Sequence, residues 1–333
     1  MIGSQSARDP RRLVTLLVPA LGLLAACGGG NTSGSTLNAC RPLTATAPQR
    51  PAGWTGSVFT IVMENQSRGA VIGNMTQAPY INSLAAKYAV ANGYHDSYVH
   101  PSEPNYIWMV AGQNFDILND ADPSPTQTIS SQSHLANQIE KAGLTWKSYQ
   151  ESMGQPCDLH SHGLYAVKHN PFAYFDDING WNGTAFQPSP RCNVHVVDYS
   201  QLDADIAAGT VPNYAFITPN LMDDMHDGTI AEGDKWLSEQ VPKIMATDAF
   251  KQGGVLFLLW DEGSNQADDP PFLAISPNAK VGFASQTNYD TSSFLKTVQG
   301  VMGLEALPCS PDPAAVSAMD ELFTVPVTAP AGP

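Results

Sequence analysis

Four short apolar runs punctuate the chain: VFTIVM at 58–63, YAFIT at 214–218, VLFLLW at 255–260 and FLAIS at 272–276. Each is rich in branched or aromatic residues and lacks polar alternation, the pattern of a strand buried on both faces. Between them, apolar residues recur at helical spacing over 78–88, 104–111, 131–142, 232–246 and 289–302. Strands alternating with helices predict an α/β fold, a parallel sheet covered on both sides. The stretch 150–195 carries Pro, Gly, His, Asn and two cysteines with weak periodicity, and reads as a long insertion near any site. Residues 28–53 read as a flexible Gly/Ser/Pro linker and 311–333 as a Pro/Ala-rich tail, which leaves 54–310 as the folded domain.

The chain begins differently. Arg11 and Arg12 precede LVTLLVPALGLLAA, an apolar run too short for a comfortable membrane span and ending in small residues. It reads as a signal peptide over 1–27. Leu24-Ala25-Ala26-Cys27 resembles the bacterial lipobox, and GGGNTSGST comes next as a tether. The expectation is an exported lipoprotein held to a membrane by lipid on Cys27, in the periplasm or at the cell surface. That leaves Cys40, Cys157, Cys192 and Cys309, an even number in an exported protein. Of the three possible pairings, Cys157 with Cys192 and Cys40 with Cys309 are favoured. A zinc site is disfavoured because no Cys-x-x-Cys spacing occurs.

With 333 residues, 43% of them hydrophobic, the chain can bury a sizeable core. Its net charge of -15 argues against nucleic-acid binding, which wants a basic footprint. The same acidity means that any phosphate site must rely on local devices, a metal ion or backbone NH groups.

In an open parallel sheet, ligands bind outside the carboxyl ends of the strands. Three of the apolar runs are succeeded by acidic residues: Glu64-Asn65, then Asp223-Asp224-Met225-His226-Asp227, then Asp261-Glu262. Asp and Asn after a strand are also ordinary turn formers and helix caps. Several carboxylates converging on one rim, however, repel each other unless a cation sits among them. Glu64, Asn65, Asp261 and Glu262 form a hard oxygen set suited to a divalent ion. HPSEPNYIWMVAG at 100–112 places Ser102 in a proline-punctuated turn just before a helix, where a serine can cap and where free NH groups can also meet an anion.

Five fragments, VMENQS at 62–67, HPSEPNYIWMVAG, KHNPFAYF at 168–175, PNLMDDMHDGTIAEGDKWL at 219–237 and LLWDEGS at 258–264, together resemble the bacterial phosphoesterase family. That family holds secreted acid phosphatases and phospholipases C and belongs to the alkaline phosphatase superfamily. The resemblance implies an alkaline-phosphatase-like α/β/α sandwich with a central, mostly parallel sheet. It implies metal binding by Glu64, Asn65, Asp261 and Glu262, a nucleophilic hydroxyl on Ser102, and a phosphate contact from Asn105. His226 falls in the family's HD segment as a contact to the phosphoryl or leaving-group oxygen, beside Asp227, and His100 flanks the nucleophile within reach of phosphate.

Two-zinc members of the superfamily carry an Asp-His pair where this chain has Asp261-Glu262, so one divalent ion is expected, calcium, magnesium or manganese rather than zinc. His160, His162 and His169, in the insertion, read as surface or packing residues. The expected activity is metal-dependent hydrolysis of phosphate monoesters, as in an acid phosphatase, through a phosphoserine on Ser102, with a phosphate-ester small molecule or a lipid headgroup as the partner. The rivals are a phospholipase C-like phosphodiesterase and a binding lipoprotein that has lost catalysis. A sulfatase is disfavoured because residues 100–106 contain no arginine.

Overall fold

The computed structural model describes residue 43 and residues 47–97, 99–307 and 315–328. The leader, Cys27 and the Cys40–Cys309 pairing lie outside the described residues. Eight strands form one sheet: β1 (Val58–Met63), β2 (Ala89–Ala91), β3 (Trp146–Gln150), β4 (Val196–Asp198), β5 (Tyr214–Thr218), β6 (Val255–Trp260), β7 (Phe272–Ile275) and β8 (Ala284–Ser285). Their order is β4-β3-β5-β1-β6-β7-β2-β8. The centre is parallel, with Val58 opposite Tyr214 on one side and Val255 on the other, and β7 runs antiparallel to both β6 and β2. The mostly parallel sheet is thus as expected.

Two separate cores explain why the central strands are apolar throughout. Along β1, Val58 and Val62 enter one core while Phe59, Ile61 and Met63 enter the other, and β6 divides in the same way. The first core is completed by helices Ser102–Ala111 and Thr291–Met302, the second by helices Pro79–Ala85 and Ile230–Ala246. Period-2 strands facing two helical layers make an α/β/α sandwich.

Helix boundaries differ in instructive ways. The helix expected from residue 104 begins at Ser102, with Pro101 as N-cap, and stops at Gly112, whose φ of 74° lets its NH reach Trp108 O. Helix Ile230–Ala246 starts earlier than its apolar stripe, because Thr229 and Glu232 form a capping box.

The weakly periodic insertion is packed rather than loose. Phe172, Tyr174, Phe175 and Ile178 are buried in the first core, and Cys157 and Cys192 are joined as a disulfide, as expected. Residues 315–328 also pack on the domain, where Phe323 meets Trp54 edge to face at 5.0 Å. No helix among the described residues is long and apolar enough to cross a membrane.

Candidate active site

β1, the strand between β5 and β6, delivers Glu64 at its carboxyl end, and the neighbouring strands deliver the rest. Asp224 follows β5; Asp261 and Glu262 follow β6. Glu64 is fully buried and is the hub. Its Oε2 accepts a hydrogen bond from Ser102 Oγ at 3.0 Å, and its Oε1 accepts one from Tyr106 OH at 2.6 Å. Ser102 therefore does not cap its helix: its side chain makes no cap bond and turns to the carboxylate instead.

Asn65 sits in the left-handed region at φ 53°, and its backbone NH donates to Asp261 Oδ1 at 3.3 Å. That bend turns the chain off the strand and onto Asp261. Asn65 Oδ1 and Asp261 Oδ2 are both buried with no hydrogen-bond partner. Buried polar atoms are nearly always paired, so two orphan oxygens beside Glu64 and Ser102 are suited to accept a cation. The donor chemistry of Glu64, Asn65 and Asp261 fits a divalent ion.

Electrostatics agree. Burial, then Asp261 and Asp224, push the Glu64 carboxyl well above the usual range. Burial lifts Asp261 to about 7 and Asp224 to about 8. Carboxyls that resist ionising in this arrangement would be relieved by a positive charge among them.

Glu262 faces the other way. Its Oε2 takes a hydrogen bond from Asn105 Nδ2 at 3.0 Å, and its Oε1 lies 3.2 Å from His100 Nδ1. Asn105 also donates to Val99 O at 2.6 Å and accepts from Ser97 Oγ, so its amide is fully engaged. Burial and then Asp261 raise Glu262 to about 9.

His226 is partly exposed on the loop after β5. Its Nδ1 lies 2.8 Å from Asp227 Oδ1 and its Nε2 3.3 Å from Lys168 Nζ. A protonated lysine needs a lone pair on Nε2, which puts the neutral ring's hydrogen on Nδ1, facing Asp227.

His169 corrects the expectation of a surface or packing residue. It is 2% exposed and lies between Glu64 and Asp224, Nε2 3.1 Å from Glu64 Oε1 and Nδ1 3.3 Å from Asp224 Oδ2, with neither Nε2 nor Asp224 Oδ2 in a hydrogen bond. Tyr106 stacks on its ring at 5.1 Å. Burial, with Lys168 and His226 nearby, pushes its pKa well down, so it stays a neutral ligand-type imidazole. Glu64, His169 and His226 bring one potential ligand atom each within 4.8 Å of one another, a second grouping able to hold a metal ion. The signal for His169 is its place in KHNPFAYF; periodicity carries none. Lys168 and Asp224 also belong to the site, and their signal is likewise their place in the family-like fragments.

Residues 52–268 match the model of the Phosphoesterase family. Over 249 residues the chain is 30% identical to a phosphatidylinositol-3-phosphatase of Mycobacterium tuberculosis, covering 73% of this chain and 77% of that protein. It is 26% identical to a probable acid phosphatase of Kluyveromyces lactis, covering 72% of this chain but 56% of the relative. It is 25% identical to a non-hemolytic phospholipase C of Burkholderia pseudomallei over 58% of this chain and 30% of that one. A protein of the alkaline phosphatase superfamily from Vibrio parahaemolyticus superposes with a TM-score of 0.55 at 10% identity, covering 84% of this chain and 73% of that chain. Murine ectonucleotide pyrophosphatase/phosphodiesterase 5 gives 0.54 at 11%, covering 81% and 100%. At these identities the two structures speak for the fold.

Proposed function

Because the chain belongs to the phosphoesterase family and is a phosphoric ester hydrolase, we propose that it hydrolyses phosphate monoesters through a phosphoserine formed on Ser102. The observation that carries this reading is the Ser102 hydroxyl, 3.0 Å from a buried carboxylate and beside oxygens that lack partners.

In this scheme Ser102 Oγ attacks phosphorus while its hydrogen passes toward Glu64 Oε2, its present acceptor. The bond from phosphorus to the ester oxygen breaks, and the leaving alcohol takes a proton from His226, which carries it on Nε2 only after that atom exchanges its contact with Lys168 for a proton from solvent, while Asp227 holds Nδ1. Water then attacks phosphorus and gives a proton to His226, the bond to Oγ breaks as Oγ takes its hydrogen back from Glu64, and inorganic phosphate leaves. One divalent ion, calcium, magnesium or manganese before zinc, is assigned to Glu64, Asn65 and Asp261; Glu262, expected from the sequence as a fourth ligand, is turned to Asn105 and His100 and would join them only by giving up those contacts. When bound it supplies charge neutralisation and a lowered hydroxyl pKa. His100 and Asn105 hold Glu262 and reach phosphate oxygens only by exchanging those bonds.

Ser102→Ala is expected to lower nitrophenyl phosphate turnover by about 10³-fold or more with the fold intact. Near-wild-type turnover would sink the assignment. The second reading, a phosphodiesterase acting on lipids, draws on the phospholipase C relative. Assaying bis-nitrophenyl phosphate alongside the monoester separates the two, and silence on both favours a binding protein. The lipid tether rests on Leu24–Cys27 alone; fatty-acid labelling that survives Cys27→Ser would remove it.

A further inference from the structure

Lys168, in KHNPFAYF, has no part in the scheme above, yet it lies inside the site. Its Nζ is 2.8 Å from Asp120 Oδ2 and 3.3 Å from His226 Nε2, and its side chain is 18% exposed. Asp120 in turn accepts, through Oδ1, the backbone NH of Glu103, the residue after Ser102, at 3.0 Å. One carboxylate thus ties the ammonium to the first turn of the nucleophile's helix. On the other side, the adjacent His169 reaches Glu64, which holds Ser102.

The Asp120 carboxylate, 2.8 Å from Nζ, keeps Lys168 as an ammonium. An ammonium has three hydrogens. Among the described residues two are used, on Asp120 and His226, which leaves one for a ligand.

A monoester dianion carries one more negative charge, and one more unsubstituted oxygen, than a diester. A cation tied through Asp120 to the first turn of the nucleophile's helix therefore stabilises the monoester selectively. We propose that Lys168 is the specificity-determining residue that makes this site prefer phosphate monoesters over diesters, with Asp120 as the residue that positions it. The inference rests on the reading of Ser102 as nucleophile.

The test is the ratio of kcat/KM on nitrophenyl phosphate to that on bis-nitrophenyl phosphate, with divalent metal supplied. Lys168→Met should lower the monoester value about 100-fold and the diester value by less than about fivefold, the size expected for removing one transition-state contact. Lys168→Arg, which keeps the charge, should restore most of the ratio. Asp120→Asn should shift the ratio the same way by a smaller factor, mainly through the monoester KM. Unfolding midpoints are measured for all three, and if Lys168→Met does not fold, the Arg and Asp120→Asn ratios decide. Equal losses on both substrates, or an unchanged ratio, overturn the proposal, because a purely structural lysine would not distinguish the two esters. Wild-type protein inactive on both esters removes the nucleophile reading itself, and this inference with it.

Discussion

Replacing both Cys157 and Cys192 by alanine opens a loop whose ends are 35 residues apart in sequence. In the chain-entropy description, releasing a loop of that length restores about 13 cal/mol/K to the unfolded ensemble, or about 3.8 kcal/mol at 25 °C. Cys192 is fully buried in the first core, so trimming it to alanine adds a small packing loss in the same direction. Equilibrium urea unfolding of the wild type and the double variant measures the difference, with the slope checked for two-state behaviour. The expected outcome is a loss between about 3 and 5 kcal/mol. A difference below about 1 kcal/mol would refute the reasoning, since the insertion would then be held by its buried Phe172, Tyr174 and Phe175 without the clasp. The loop also carries Lys168 and His169, so monoester kcat/KM should fall at temperatures where the variant remains folded.

Two further outcomes rest on the same geometry. Burial acts to raise the Asp177 carboxyl, but His134, Asn137 and Arg191 outweigh it and hold it down at about 2. A depressed acid stabilises fully above its unfolded pKa and loses that contribution as pH falls through its folded value. Wild type should therefore shed about 2 kcal/mol from this group between roughly pH 4 and pH 2. Asp177→Asn should already lack it at neutral pH, which acid titration of unfolding checks; parallel curves would contradict the sign. Chelation should abolish nitrophenyl phosphate turnover with loss of one ion per chain by elemental analysis, and an active metal-free protein would remove the cation from the scheme.

The strands legible in the sequence are those whose residues are apolar on both faces. β1, β5, β6 and β7 lie at or next to the middle of the sheet, so nothing along them needs to be polar. β3, WKSYQ, gives no such signal although four of its five residues are buried, because Ser148 and Gln150 are satisfied by side-chain hydrogen bonds that only the fold creates. β2, β4 and β8 are too short to show a period. The site divides similarly. Glu64, Asn65, Asp261 and Glu262 are legible because they stand directly after apolar strands, where a parallel sheet places its ligands. His169 is not, because its burial between Glu64 and Asp224 comes from the tertiary packing of an aperiodic segment.

The left-handed turn at Asn65 has a consequence for mutational scans. Backbone geometry admits glycine, asparagine and aspartate there readily and penalises β-branched residues most. If Asn65 holds the proposed cation, ligand chemistry admits only side chains that end in an oxygen. The two filters overlap in two amino acids, so position 65 is a narrow gate in sequence space. An inactive Asn65→Ala or Asn65→Val variant would report the sum of both filters. Asn65→Gly, which passes the first and fails the second, is the variant that separates them.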